Sequence, residues 1–147
     1  MKTDTPRPIR LSDYQPPSHL IDKVDLDFRL EPTRTRVKAR LAIRRNPAVS
    51  GKGPLQLNGE QLELETLRLN GAELKLGKDY DLSESGLTLK APPDKPFRLD
   101  IVTYVDPEAN KALQGLYRSR GIYCTQCDAH GFRRITYVLD RPDVLST

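Results

Sequence analysis

The sequence has no tryptophan, only two cysteines and two histidines, and no long apolar run. A membrane-spanning helix needs about 20 consecutive apolar residues, so we expect no such helix. Residues 1–8 lack the hydrophobic stretch of a secretory signal, and we expect none there. Two cysteines cannot form a disulfide framework, so the expected location is cytoplasmic.

The composition of the 147 residues is typical of one globular domain rich in turns. Hydrophobic residues make up 37% of the chain, which is enough for one core and excludes a wholly disordered protein. Twelve prolines and nine glycines favour short strands and turns over long helices. Lysine and arginine number 24 against 20 acidic residues, and this small excess does not predict binding to nucleic acid.

The expected domain boundary is the point where regular apolar alternation begins. Residues 1–18 contain several prolines and little periodic pattern, so we expect an extended N-terminal arm or a disordered tail. Residues 19–147 are expected to form a single β-sandwich domain.

Two alternating segments on either side of Pro32 predict a first hairpin. Apolar and charged residues alternate over residues 24–30 and again over residues 35–45. Placing the apolar positions on one face fixes the register, because a shift by one residue would turn every side chain to the other face. The acidic residues of the first segment then lie opposite the basic residues of the second. We therefore interpret the arginines of the second segment as a solvated strand face. The predicted pairs are Leu30 with Thr35, Phe28 with Val37, Leu26 with Ala39, Val24 with Leu41, Asp27 with Lys38 and Asp25 with Arg40.

A second hairpin is predicted around Asn70 and Gly71. Both residue types tolerate positive φ, which a two-residue hairpin turn requires, and leucines alternate on either side. The alternation slips between Leu64 and Leu67, which predicts a β-bulge near residues 65–66.

Residues 80–89 predict a third, shorter hairpin, and residues 97–105 predict a further strand. About seven short strands at regular spacing indicate an all-β protein with an antiparallel β-sandwich fold.

The alternation ends after Asp106 and Pro107. Residues 108–114 predict one or two helical turns. Residues 122–134 then mix thiols, an acid, an imidazole, glycines and arginines without a clear apolar face, so we expect a short irregular C-terminal segment. Functional residues often lie in segments whose residue pattern does not match the rest of the fold.

Cys124 and Cys127 suggest three kinds of site, and the sequence lacks a residue or element that each of them needs. A structural zinc ion takes four ligands, and the sequence adds only His130 nearby and the distant His19. A redox-active cysteine pair normally begins a helix in a βαβ unit, which the pattern does not predict. A cysteine nucleophile paired with a histidine needs a third, orienting group that the sequence does not identify.

Gln126 and Asp128 lie two residues apart, so on an extended strand they share one face. A carboxylate supplies charge and an amide supplies orientation, a combination that suits an ammonium group. The alternative interpretation is a polar strand face without a ligand.

Residues 124–144 closely resemble a stretch of the bacterial aminopeptidase N family, which are zinc metallo-aminopeptidases of the gluzincin type. Residues 54–60 and 110–117 also look like family segments in the same order, so the resemblance runs from about Tyr14 to Val144. It implies a saddle of antiparallel strands that packs on a separate, thermolysin-like catalytic domain.

The resemblance also implies roles for particular residues. In the family, a Gln-x-Glu pair on this segment binds the free α-amine of a peptide substrate. Gln126 matches the first position, and Asp128 stands at the second position with a side chain one methylene shorter than glutamate.

The family's catalytic zinc ion is bound by an H-E-x-x-H motif, and neither histidine of this chain belongs to such a motif. We therefore expect a substrate-binding domain that has no catalytic residue and no metal site of its own, and that is inactive alone. Its expected partners are peptide N-termini and the missing catalytic domain, not a nucleic acid or a membrane. The alternative is a stand-alone, non-catalytic interaction module.

Overall fold

The computed structural model describes residues 8, 10–128 and 130–147, and nearly all of its regular structure is β-strand. Two 3-10 helices span Leu11–Asp13 and Phe132–Arg134. Neither of them, nor any other helix in the described residues, has the length and apolar composition required to cross a membrane. The strands are β1 (His19–Arg29), β2 (Thr35–Arg45), β3 (Leu55–Asn58), β4 (Glu63–Leu69), β5 (Ala72–Glu73), β6 (Tyr80–Ser83), β7 (Gly86–Leu89), β8 (Phe97–Val105), β9 (Gly115–Ser119) and β10 (Ile122–Gln126).

Five strands form an antiparallel sheet in the order β1-β2-β8-β4-β5. Five of the six residue pairs predicted between β1 and β2 are present. The sixth pair, Leu30 with Thr35, is wrong, because β1 ends at Arg29 and Leu30 is half exposed beyond it. Arg40 of β2 forms an ion pair of 3.1 Å with Asp100 of β8, so acidic neighbours partly neutralise the basic strand.

The hairpin between β4 and β5 has the predicted turn. Asn70 and Gly71 have φ angles of +49° and +89°, the left-handed conformation that a type I′ turn requires. The predicted β-bulge is also confirmed, because the pairing of β4 with β8 shifts register between Leu64 and Thr66.

A second, three-stranded sheet has the order β3-β7-β6 and contains the predicted hairpin of residues 80–89 as β6 and β7. A Cβ atom on Gly86 would lie 2.0 Å from the carbonyl oxygen of Leu57. Only glycine therefore allows β7 to approach β3 this closely.

The core lies between these two sheets, which confirms the predicted antiparallel β-sandwich. Leu41 and Leu99 from the five-stranded sheet and Leu55 and Leu87 from the three-stranded sheet belong to one cluster of buried residues. Tyr137 joins the same cluster from the C-terminal segment. Full burial of a leucine side chain contributes about 1.5–3 kcal/mol, so this cluster dominates the stability of the fold.

The region after β8 differs from the prediction. Residues 108–114 form turns and irregular backbone, so the predicted helical turns are wrong. The side-chain amide of Asn110 donates to the carbonyl oxygens of Gln114 at 2.7 Å and Leu116 at 2.9 Å. These bonds satisfy backbone groups without a helix. Strands β9 and β10 follow as a separate two-stranded hairpin.

The predicted irregular C-terminal segment is present, and much of it is buried. Residues 135–139 are buried outside any named strand. Val138 exchanges two backbone hydrogen bonds with Asn58 of β3, at 2.7 and 3.1 Å, which fixes the segment beside the three-stranded sheet.

Part of the expected N-terminal arm, residues 1–7 and 9, lies outside the described residues. The Tyr14 hydroxyl donates to Asp143 at 2.8 Å, and Arg141 donates to the carbonyl oxygen of Gln15 at 2.7 Å. The end of the arm that precedes β1 thus lies against the C-terminal segment.

Candidate functional site

The candidate site lies where the β9–β10 hairpin ends. Arg120 and Gly121 form the hairpin turn with φ angles of +50° and +81°. Gln126, the last residue of β10, pairs with Gly115 of β9, and this pairing fixes its backbone. Asp128 lies in the turn that follows, so the two residues do not share the face of one extended strand.

Two glycines close the loop of residues 126–131. A Cβ atom on Gly131 would lie 2.3 Å from the carbonyl oxygen of Gln126 and 2.9 Å from the Cα atom of Cys127. A Cβ atom on Gly115 would lie 2.7 Å from the Cβ atom of Arg134. Real Cβ atoms do not approach other atoms so closely, so the packing of Gly131 on Gln126 and of Gly115 on Arg134 requires glycine at both positions.

This loop brings the side chains of Gln126 and Asp128 into contact. Both residues are exposed, and Nε2 of Gln126 donates a hydrogen bond of 3.0 Å to Oδ2 of Asp128. An ionised carboxylate accepts several hydrogen bonds, so Asp128 retains acceptor capacity after this one. The side-chain amide of Gln126 donates through Nε2 to Asp128, and its acceptor is the carbonyl oxygen Oε1. The pair therefore offers solvent a negative charge and an oriented amide oxygen, as an ammonium ligand requires.

The thiol of Cys127 reports the electrostatics of the loop. Although Cys127 is an exposed residue, partial burial of its thiol raises its pKa, and the carboxylates of Asp140 and Asp128 raise it further. The two carboxylates therefore disfavour a further negative charge at the Cys127 sulfur. A raised pKa also disfavours the thiolate form, which makes Cys127 a poor nucleophile.

Arg133 anchors the 126–131 loop to the three-stranded sheet. Its Nε atom donates to Oδ2 of Asp140 at 2.9 Å, and its backbone N–H donates to the same oxygen at 3.2 Å. The backbone N–H of Asp140 donates in turn to Oδ1 of Asn58 in β3 at 3.1 Å. The side chains of Arg133 and Asp140 are only 16% and 11% exposed, so water screens this ion pair weakly.

The described residues do not fit a zinc site. Within residues 8, 10–128 and 130–147, no three histidine, cysteine, aspartate or glutamate side chains cluster as metal ligands would. His19 is fully buried at the start of β1, with Nδ1 2.9 Å from the hydroxyl of Ser18. Nδ1 of His130 lies 2.8 Å from Nη2 of Arg133, and because a guanidinium only donates, this nitrogen accepts and faces a cation.

Sequence reasoning singled out Gln126 and Asp128 but not the residues that hold them. Gly131 packs on the Gln126 carbonyl, and Arg133 contacts both His130 of the loop and Asp140. The bond from Asp140 to Asn58 joins positions 82 residues apart. Only Gly131 gave a local signal, as a glycine at the end of a polar stretch.

Comparison with known sequences relates this architecture to one family. The family described as Peptidase M1 N-terminal domain matches residues 15–147. An aminopeptidase N of Caulobacter vibrioides is 49% identical over 147 residues, and an aminopeptidase N of Escherichia coli is 40% identical over 144 residues. The alignments cover 99% and 98% of this chain but 16% of each relative, so the chain spans about one sixth of the length of these curated relatives.

Solved structures show the same similarity in three dimensions. The crystal structure of Legionella pneumophila aminopeptidase A in complex with aspartic acid matches with a TM-score of 0.87 and 33% identity, over 95% of this chain and 16% of that chain. An M1 zinc metallopeptidase of Deinococcus radiodurans matches with a TM-score of 0.71 over 88% of this chain and 31% of that chain. At 16% identity, this second match shows the fold alone.

Proposed function

The chain belongs to the family of M1 peptidase N-terminal domains, and from this premise we propose that it forms the N-terminal β domain of a zinc aminopeptidase. The complete enzyme removes N-terminal amino acids from peptides, and Gln126 and Asp128 bind the α-ammonium group of the substrate. The observation that carries this proposal is the 3.0 Å hydrogen bond between these two exposed side chains.

The pair recognises a chain end because only a peptide N-terminus carries an ammonium group at this place. A hydrogen bond to a charged group contributes about 1.5–3 kcal/mol, and Asp128 adds charge attraction while Gln126 fixes direction. An internal peptide segment would leave the carboxylate facing the substrate without a partner, which costs free energy. The site thus favours exopeptidase over endopeptidase activity.

The catalytic residues and the zinc ion belong to the rest of the enzyme in this proposal. Zinc bound there would polarise the first peptide carbonyl of the substrate. This chain supplies binding and orientation, and alone it hydrolyses no peptide. Leu113 lies before the β9–β10 hairpin and Ile122 lies on it, and they are 56% and 66% exposed. Both suit packing against the catalytic domain. Two free cysteines are consistent with the proposed cytoplasmic location.

The test is Asp128→Asn in the complete enzyme, assayed with aminoacyl p-nitroanilides. The change removes the charge and keeps the shape, so we expect KM to rise at least about tenfold, since a charged hydrogen bond of this strength is lost. Asp27→Asn is the matched control, because Asp27 is an exposed acid on the outer face of β1. It should leave KM unchanged.

Thermal unfolding of both variants separates binding from stability. The proposal requires a melting temperature close to that of the parent for Asp128→Asn, together with the raised KM. A kcat/KM within twofold of the parent would count against amine binding by Asp128. Peptide hydrolysis by the isolated chain would contradict the proposed division of labour.

A further inference from the structure

Glu60 lies in the bend that connects β3 to β4, beside the residues that follow the 126–131 loop. Its backbone N–H donates to the carbonyl oxygen of Arg133 at 3.0 Å. One oxygen of its carboxylate lies 3.8 Å from Nη1 of Arg133, and the other lies 3.2 Å from Nη2 of Arg134. A single carboxylate therefore lies between two arginines that are neighbours in sequence.

The two arginines depend on Glu60 to different extents. Arg133 also has Asp140, whose Oδ2 accepts from its Nε atom at 2.9 Å. Among the residues that the structure describes, Glu60 is the only acidic partner of Arg134 within 4.0 Å, and the buried Nε atom of Arg134 has no hydrogen-bond partner. The Arg134 side chain is only 22% exposed, so loss of Glu60 would leave a shielded charge without a partner, which costs free energy. The position of Arg134 therefore depends on Glu60.

Arg134 is linked to Gln126 through two glycines. A Cβ atom on Gly115 would lie 2.7 Å from the Cβ atom of Arg134, and the backbone of Gly115 pairs with Gln126. The N–H of Arg134 donates to the carbonyl oxygen of Gly131 at 3.1 Å, and Gly131 packs on the carbonyl oxygen of Gln126. Because closely packed groups transmit a displacement to their neighbours, a movement of Arg134 also moves Gln126.

The bend that carries Glu60 is itself restrained on both sides. A Cβ atom on Gly59 would lie 2.3 Å from the ring of Tyr137, so this backbone packs directly on a buried side chain. Gln61 has a φ angle of +56°, a conformation that costs a non-glycine residue free energy and persists only where the surrounding structure imposes it. Strained residues of this kind cluster at functional sites. The backbone of the bend therefore fixes the place from which the Glu60 carboxylate contacts the arginines.

We infer that Glu60, acting through Arg134, is a positioning residue for the amine site of Gln126 and Asp128. The inference rests on the proposed function, in which these two side chains bind the α-ammonium group of a peptide. Glu60 holds Arg134, and Arg134 holds the backbone of Gln126 where its amide meets Asp128 at 3.0 Å. A displacement of about 1 Å is enough to weaken an oriented contact of this kind. Glu60 acts without touching the substrate.

The test measures how much the amine contributes to binding in the complete enzyme. L-leucinol and isohexanol differ only in the amine, and both are measured as competitive inhibitors of aminoacyl p-nitroanilide hydrolysis. The ratio of their inhibition constants reports the amine site, because the two alcohols share every other contact. Glu60→Gln keeps the shape of the side chain and removes its charge, so we expect the preference for leucinol to fall at least about fivefold.

Glu63→Gln is the matched control for this change. Glu63 forms an ion pair of 2.8 Å with Arg34, and both side chains are exposed, so its loss should leave the ratio unchanged. Arg134→Gln removes the ion pair with Glu60 from the other side and should lower the ratio in the same way. The inference is thus tested even where one of the two variants does not fold. Both constants come from one preparation, so a smaller folded fraction does not change their ratio.

A parental ratio in either Glu60→Gln or Arg134→Gln would overturn the inference. Equal weakening of both inhibitors would overturn it too, because a general structural effect does not distinguish the amine. In the double variant, residues that act as one unit give less than the product of the two single effects, and a full product would contradict the route through Arg134.

The parent enzyme separates this inference from the proposed function. Equal inhibition of the parent by leucinol and isohexanol would refute the amine site itself. A parent that prefers leucinol, together with an unchanged preference in Glu60→Gln, would refute only the positioning role of Glu60.

Discussion

A Cβ atom on Gly131 would lie 2.3 Å from the carbonyl oxygen of Gln126, so the backbone of one residue occupies the side-chain space of the other. Gly131 has φ of −84°, a conformation open to any residue, and the constraint is purely one of space. We predict that Gly131→Ala displaces the 126–131 loop and raises KM of the complete enzyme, because the amide of Gln126 and the carboxylate of Asp128 separate.

Gly53→Ala is the matched control for this change. A Cβ atom on Gly53 would have no neighbour within 4 Å, so the substitution should leave KM unchanged. It should stabilise the fold slightly, by about 0.4–1 kcal/mol, because alanine restricts the unfolded chain. Steady-state kinetics and thermal unfolding of the two variants check the prediction, and equal KM values would refute it.

The ion pair of Arg133 and Asp140 should matter more for stability than exposed pairs do. Asp140→Asn leaves the guanidinium of Arg133 poorly compensated in a shielded place, so we predict a loss of about 1–3 kcal/mol in unfolding free energy. Asp81→Asn removes the partner of Lys90 in an exposed pair of 3.6 Å and should cost less than about 1 kcal/mol. Urea unfolding of both variants makes the comparison, and equal losses would show that shielding has no effect here.

His19 should make the fold less stable in mild acid. Burial lowers the pKa of His19, and the nearby charge of Arg45 lowers it further. The unfolded chain, with an ordinary histidine pKa of about 6.5, then binds more protons than the folded chain, so stability is complete above that pH and falls as pH drops below it. His19→Gln should flatten the dependence of melting temperature on pH between 5 and 7, as measured by scanning calorimetry. A parental slope in His19→Gln would assign the effect to other groups.

The Cys127 thiol should report the charge of Asp128 directly. Burial raises the pKa of Cys127, as do the carboxylates of Asp140 and Asp128, so alkylation by iodoacetamide should be slow at neutral pH. Asp128→Asn removes one of these charges and should lower the thiol pKa, which speeds alkylation. Mass mapping of Cys127 against pH gives the rate, and Asp27→Asn serves as the control. An unchanged profile in Asp128→Asn would mean that the two groups do not interact.

Most of the sandwich follows from local signals. The period of two between β1 and β2 fixed a register in which five of six pairs are present, because burial of one face penalises any slip by one residue. The turn at Asn70 and Gly71 and the bulge after Leu64 also have sequence signatures. The hairpin of β9 and β10 lacked a clean alternation, since it forms a separate two-stranded sheet whose faces are not sorted into buried and exposed.

The sequence by itself determined the all-β class, the first three hairpins and the choice of Gln126 and Asp128, because alternation, turn chemistry and residue type are local properties. Tertiary structure alone decided that these two side chains meet across a turn, held by Gly131 packed on the Gln126 carbonyl and by Arg133 joined to Asp140. It also decided that Thr147 lies beside β1 in parallel. The Thr147 contact joins segments far apart in sequence, and the short-range contacts of the 126–131 loop depend on backbone conformations that neither alternation nor a turn signature encodes.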